Sequence, residues 1–225
     1  EISVNEQRLW LVDVAKGEKV LLTDSGKENA AYGNARFTRD GNGLYLITDK
    51  NHEFAQLSYM DLKSKDSKPL LTTIPWDVEM MEVSPDGKRI AFVTNEAGIS
   101  RMYLYDVGSR KHELLENVPT GVIGELRWRP NGKEFAFSLG SARFASDVYS
   151  VDVDSRTLTR WTESELGGLV AEELSEPGLI RWKSFDEREI TGFMYSPPAR
   201  FPGKRPVLIL IHGGPEGQSR PTFLG

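Results

Sequence analysis

Apolar positions in this chain come in short runs, each cut off by Asp, Asn, Gly or Pro, and the runs return in a fixed order. A run ending in an aspartate and a turn occurs as Leu11-Val12-Asp13, Tyr59-Met60-Asp61, Leu104-Tyr105-Asp106 and Ser150-Val151-Asp152. The aspartates recur roughly every 46 residues, the interval of a repeat architecture. Ahead of three of them stands a second signature: Phe37-Thr38-Arg39-Asp40-Gly41, Val83-Ser84-Pro85-Asp86-Gly87 and Trp128-Arg129-Pro130-Asn131-Gly132. Each is followed by an apolar strand, at Leu44 to Thr48, Ile90 to Thr94 and Phe135 to Leu139. Asp-Gly and Asn-Gly supply the positive φ that tight hairpins require, so their recurrence needs no catalytic explanation.

Each unit therefore predicts four short strands. Two flank the Asp-Gly or Asn-Gly turn, one ends at the repeated aspartate, and an outer one follows, as at Lys19 to Thr23 or Glu113 to Glu116. Four strands in about 46 residues is the pattern of a β-propeller blade. The first unit contains only the two outer strands, and three complete blades follow it. Closed propellers use about four to eight blades, so further blades are expected to precede this sequence. A competing arrangement returns Ile180-Arg181-Trp182 and Glu189 to Tyr195 as the inner strands of the first blade, closing a four-bladed ring.

The repeat stops between Thr162 and Pro177, where Glu163-Ser164-Glu165-Leu166-Gly167-Gly168, Glu172-Glu173 and Glu176-Pro177-Gly178 form a polar connector with room for one helical turn. The expected division is a propeller part over 1–175 and a second domain beginning at 176–225. In the second part Leu179 to Phe185 and Glu189 to Tyr195 alternate as a hairpin around Asp186-Glu187-Arg188, which Ser196-Pro197-Pro198 ends. Val207 to Ile211 is an unbroken aliphatic run suited to a strand covered on both faces, as in a sheet flanked by helices. The fold class expected is thus mainly β: a partial β-propeller, then the first strands of an α/β-hydrolase domain.

Composition narrows the function. The 225 residues are 39% hydrophobic and 27% charged, enough for a sizeable core and a solvated surface. The formal net charge is −5 and the basic residues are dispersed, which argues against a nucleic-acid partner. With no cysteine there are no disulfides, thiolate metal sites or cysteine nucleophiles, and cytoplasm and periplasm both stay open. The longest aliphatic run falls far short of the ~20 residues that span a bilayer, and Glu1-Ile2-Ser3 carries no leader, so a soluble chain is expected. No phosphate-cradling loop, dinucleotide fingerprint or calcium loop is present, and no cofactor or metal is expected.

Candidate chemistry gathers at His212-Gly213-Gly214-Pro215, directly after the aliphatic run. Gly213 and Gly214 remove Cβ atoms where the backbone could approach a reacting carbonyl and point an N–H at the developing oxyanion. The plainer alternative is a tight turn closing a strand, with Pro215 fixing φ for the next residue. His52 and His112 stand beside charged residues in blade loops and lack zinc-ligand spacing, so both are expected to be surface histidines. Asp13, Asp61, Asp106 and Asp152 suit turn capping rather than acid–base chemistry. Trp10, Trp76, Trp128, Trp161 and Trp182 suit ring-filled space between blades. Arg101, and Arg143 with Phe144, fall in loops that could line a tunnel, and Glu172-Glu173 suits a solvated connector.

In combination, Ser84-Pro85-Asp86-Gly87-Lys88-Arg89-Ile90-Ala91-Phe92, Ile190-Thr191-Gly192-Phe193-Met194-Tyr195-Ser196-Pro197 and His212-Gly213-Gly214-Pro215 resemble the prolyl oligopeptidase family, nearest its acylaminoacyl peptidase and dipeptidyl peptidase-like branches. The resemblance covers nearly the whole chain and implies a serine peptidase that cuts short peptides beneath a propeller cap. It places the oxyanion loop on Gly213 and Gly214, within a motif bounded by His212 and Pro215. The chain departs from the family in having no Gly-x-Ser-x-Gly element, and its histidine beyond the blades is His212 itself. Nucleophile, acid and base are therefore expected outside this sequence, and the chain alone is expected to be inactive and prone to self-association through Val207 to Ile211. The alternative is a non-enzymatic TolB-like propeller that binds a protein or peptide. An esterase on the same scaffold is a further possibility, because acyl transfer to serine does not by itself select amide over ester.

Overall fold

The computed structural model describes residues 3, 6–23, 29–214 and 217–223. Three four-stranded sheets carry the repeat, and in each the strands are neighbours in sequence order. The first contains β3 (Tyr32–Phe37), β4 (Gly43–Thr48), β5 (Gln56–Asp61) and β6 (Ser67–Pro69) when β1 (Trp10–Val12) and β2 (Lys19–Leu21) are set apart as a pair of their own. The second contains β7 (Asp77–Val83), β8 (Arg89–Glu96), β9 (Ile99–Asp106) and β10 (Lys111–Leu114). The third contains β11 (Val122–Trp128), β12 (Glu134–Ser141), β13 (Phe144–Asp152) and β14 (Leu158–Arg160). The hairpin β15 (Gly178–Lys183) and β16 (Glu189–Met194) stands as a separate two-stranded sheet. Among the described residues there is no α-helix, only a single 3-10 turn at Ala171–Glu173. The architecture is a partial β-propeller of three complete blades and one outer pair.

β15 pairs with β16 over its whole length, Gly178 to Lys183 opposite Met194 to Glu189, and β1 pairs with β2. The chain divides into two compact units: Glu1–Asn95 with Arg101–Glu116 and Leu126–Lys133, and Glu96–Ser100 with Asn117–Glu125 and Glu134–Gly225.

The repeated sequence signatures become two repeated turns. In the inner turn Ser84 N–H donates to Arg89 O at 2.8 Å and Gly87 N–H to Ser84 O at 2.8 Å, while the Ser84 hydroxyl donates to Asp86 Oδ1 at 2.6 Å. Only the glycine of each Asp-Gly or Asn-Gly pair takes positive φ, at 71°, 72° and 68° for Gly41, Gly87 and Gly132. The aspartate contributes acceptor oxygens rather than unusual backbone. At Asp86 the Ser84 hydroxyl and the Lys88 N–H hold the carboxyl below its ordinary pKa.

The outer turn is built on the repeated aspartates. The N–H groups of Gly17, Lys65, Arg110 and Arg156 return to the carbonyls of Asp13, Asp61, Asp106 and Asp152 at 2.7 to 2.9 Å. Each aspartate Oδ1 also accepts the N–H three residues on, from Lys16, Ser64, Ser109 and Ser155. These carboxylates are turn caps, as their spacing implied. The Ser64 N–H, aided by that of Lys63, holds Asp61 below the usual carboxylate range, and the Ser109 N–H and hydroxyl do so at Asp106.

The core lies between the sheets. Tyr45, Ile47 and Leu57 of one blade pack with Met81, Ile90, Phe92 and Tyr105 of the next. Leu22, Tyr32, Leu44, Leu46 and Met60 form a second seam beneath the outer pair. At the inner strands the seam is polar. Arg36 Nη2 and Arg127 Nη1 both donate to Glu82 Oε1, at 2.8 and 3.0 Å, and Trp128 Nε1–H donates to Glu82 O at 2.9 Å. One carboxylate on β7 thus ties together β3, β7 and β11.

Two expectations about packing need correction. Trp10, Trp161 and Trp182 are about half exposed and do not fill space between blades; Trp76 packs against the seam, and the fully buried rings are Tyr105, Phe92 and Phe135. Trp10 lies on a short outer pair and Trp161 just beyond β14, where no further sheet layer covers them among the described residues. Residues 207 to 211 are not a strand, and their side chains are 72% to 87% exposed. Strand geometry is sustained by ladder hydrogen bonds, and no described strand pairs with this run. No helix among the described residues is long and apolar enough to cross a membrane.

Candidate functional site

After β16 the chain runs through the Pro197-Pro198 segment and the aliphatic run to His212, Gly213 and Gly214, all exposed. Pro215, the last member of the sequence motif, lies outside the described residues. His212 Nδ1 is 3.0 Å from Gly213 O. A carbonyl only accepts, so in this contact the Nδ1–H donates. Among the described residues no group accepts from the Gly213 or Gly214 N–H. A Cβ at position 217 would stand 2.3 Å from Gly213 O, an approach that only glycine allows. Two main-chain donors can polarise a carbonyl, but no nucleophile stands with them among the described residues.

The connector that leads here is fastened by a group the sequence did not single out. Asp147 of β13 is buried, with Arg160 Nη2 donating to Oδ2 at 2.5 Å and the Thr162 hydroxyl and Ser164 N–H donating to Oδ1 at 2.9 and 2.8 Å. Burial favours its neutral form, but the bonds from Arg160, Thr162 and Ser164 outweigh this and hold the carboxyl below its usual range. Strand alternation is the signal that could have found it, since Asp147 shares the inward face of β13 with Tyr149 and Val151. Burial raises the neighbouring Tyr149 phenol.

Arg143, in the turn between β12 and β13, donates from Nε to Leu174 O at 3.2 Å and stands 3.7 Å from Glu176. It therefore ties the turn before β13 to the connector. Phe144 opens β13 and lies under the Arg160 guanidinium, 5.1 Å from it. Arg101 is within β9 and not in a loop.

Glu172 and Glu173 belong to the 3-10 turn, where Glu173 pairs with Arg200 at 2.5 Å. His52 is exposed, whereas His112 belongs to β10 and packs edge-on against Tyr103 at 6.0 Å, so only the first is a loop histidine. Among the described residues no hydrogen bond or ion pair joins Arg143, Glu172 or Glu173 to the glycine turn. Among the described residues no group of three His, Asp or Glu side chains could hold a metal ion.

No family model matches the chain. The Tol-Pal system protein TolB of Ruthia magnifica is 31% identical over 146 residues, covering 64% of this chain and 31% of that protein. Among solved structures, a puromycin-hydrolyzing peptidase of Mycobacterium tuberculosis superposes with a TM-score of 0.73 at 19% identity, over 96% of this chain and 34% of that one. Prolyl oligopeptidase B of Galerina marginata, solved with a substrate for hydrolysis and macrocyclization, superposes with a TM-score of 0.69 at 14% identity, over 84% and 27%. The chain spans about a third of the length of these proteins. At such identities the structural likeness is one of fold.

Proposed function

We propose that this chain is the propeller and oxyanion-loop portion of a serine-type oligopeptidase of the prolyl oligopeptidase family, acting on short peptides. The observation that carries the reading is the glycine turn: the Gly213 and Gly214 amides, with no acceptor among the described residues, follow a set of blades whose fold is shared with peptidases. In acyl transfer such amides receive the charge that develops on the carbonyl oxygen, and losing one donor costs about 10²–10³ in turnover. The blades act as a gate that admits short chains and turns away folded ones. Residues 1–175 form the gate and 176–225 open an α/β-hydrolase domain, with Gly214 N–H the preferred donor.

The sequence has no Gly-x-Ser-x-Gly turn, and the chain by itself has no hydrolytic activity. Fluorophosphonate labelling and hydrolysis of blocked dipeptide amides test this. The 225-residue chain is expected to give neither signal, and the product of the whole gene is expected to give both, with amides cleaved in preference to short acyl esters. Labelling of the 225-residue chain would overturn the assignment of the nucleophile elsewhere.

The TolB likeness favours a second reading, a propeller that binds a protein or peptide without cleaving it. A gene whose coding sequence continues past Gly225 without a Gly-x-Ser-x-Gly turn would favour that reading.

A further inference from the structure

Within the unit that contains the glycine turn, three elements meet at the two-residue turn joining β8 to β9. Ala97 and Gly98 both adopt positive φ there, at 53° and 91°. Gly98 is required twice over, because a Cβ on it would stand 2.9 Å from Phe193 Cε2 on β16 and 3.0 Å from Ser219 O. Arg220 closes the junction. Its Nε donates to Gly98 O at 3.1 Å and its Nη2 to Ser100 Oγ at 3.0 Å.

The hydroxyl that Arg220 grips is itself fixed. Ser100 is 3% exposed, its Oγ also accepts the Ile123 N–H at 2.9 Å, and its own N–H donates to Gly121 O at 3.0 Å. Pro221, next along, is buried. A planar guanidinium bonded through two nitrogens to a main-chain carbonyl and an immobilised hydroxyl has little rotational freedom left. Three residues before it, Gly217 packs on Gly213 O, so the described chain on either side of the glycine turn is fixed at 213 and again at 220.

We propose that Arg220 is a positioning residue: its two-pronged grip on Gly98 and Ser100 holds the outgoing arm of the glycine turn, so that the Gly213 and Gly214 amides keep one orientation. Its catalytic consequence rests on the oxyanion reading above. The grip also makes the turn between β8 and β9, and not the glycine loop alone, a determinant of where those N–H vectors point.

Backbone 15N relaxation of the 225-residue chain tests the grip without reference to activity. In the unsubstituted chain the Gly213 and Gly214 amides are expected to show order parameters near the rigid value of about 0.85, falling below about 0.6 in Arg220→Ala. Ser100→Ala, which keeps Arg220 and removes one acceptor, is expected to give an intermediate loss. Gly98→Ala, which disrupts the junction sterically, is expected to reproduce the effect of Arg220→Ala. Amides equally mobile with and without Arg220 would overturn the proposal. So would order parameters unchanged in all three variants.

In the whole gene product, Arg220→Ala is expected to lower kcat by on the order of 10–10² with KM little changed, and Arg220→Lys to restore part of it through one prong. Loss of order at Gly213 and Gly214 with unaltered kcat would leave the grip standing and overturn the oxyanion reading.

Discussion

Two unbroken apolar runs in this chain meet opposite fates. Gly43-Leu44-Tyr45-Leu46-Ile47-Thr48 forms β4, buried at every position, whereas Val207-Leu208-Ile209-Leu210-Ile211 is exposed at every position and forms no ladder. Their intrinsic β-propensity is similar. The difference is supplied by neighbours: β4 lies between β3 and β5 and beneath a seam of side chains from the adjoining pair, and residues 207 to 211 have no described strand beside them. An apolar run specifies that a face is to be covered, and what covers it must come from elsewhere in the fold.

The sharpest way to break this comparison is to truncate matched positions. Leu46→Ala removes a side chain with no exposed surface and is expected to cost about 2–5 kcal/mol in urea unfolding. Ile209→Ala is expected to change stability by less than about 0.5 kcal/mol. Ile209→Lys is expected to weaken self-association in equilibrium sedimentation, since a charge on an unpaired apolar edge opposes strand addition. Equal costs at 46 and 209 would show the exposed run to be packed in solution.

The second test asks how firmly the connector between these regions is held. Asp147→Ala leaves the groups that converged on it without their acceptor and is expected to cost about 1–3 kcal/mol. The Asp147 pKa is depressed in the folded state, so its contribution is present above the unfolded value near 3.8 and fades as the pH falls through the lower folded value. Unfolding free energy measured below about pH 4 should therefore decline less steeply with acid in Asp147→Asn than in the unsubstituted chain.

The smallest effect refines the blade side. Arg110 holds positive φ at 57°, at the turn position that Gly17 fills in the outer pair. Arg110→Gly is expected to stabilise the chain by about 0.5–1 kcal/mol, the relief of left-handed strain less the added chain entropy of glycine. A loss of stability would mean that the arginine side chain contributes more than its backbone strain removes.

The blades were legible because their signals are local. Asp-Gly turns, aspartate caps and alternating strands each act within a few residues, and the structure returns the strands within two residues of the sequence boundaries. What escaped was non-local. Asp147 shows only as a carboxylate of inward parity, and its partners Thr162 and Ser164 lie on the connector beyond β14. Arg220 likewise has no sequence signature, since its acceptors Gly98 and Ser100 are more than a hundred residues away. The tryptophans misled because ring size predicts burial only where a second layer exists to receive the ring.

Glu82 carries a consequence of its own. The contact between the first two sheets is apolar within, and beside it one carboxylate on β7 serves guanidinium groups from β3 and β11. Dissolved electrolyte screens charges that solvent can reach over about 8 Å at physiological strength and leaves the buried apolar contact untouched. Raising the ionic strength would thus weaken the Glu82 cluster while leaving the apolar packing of β4 against β8 in place.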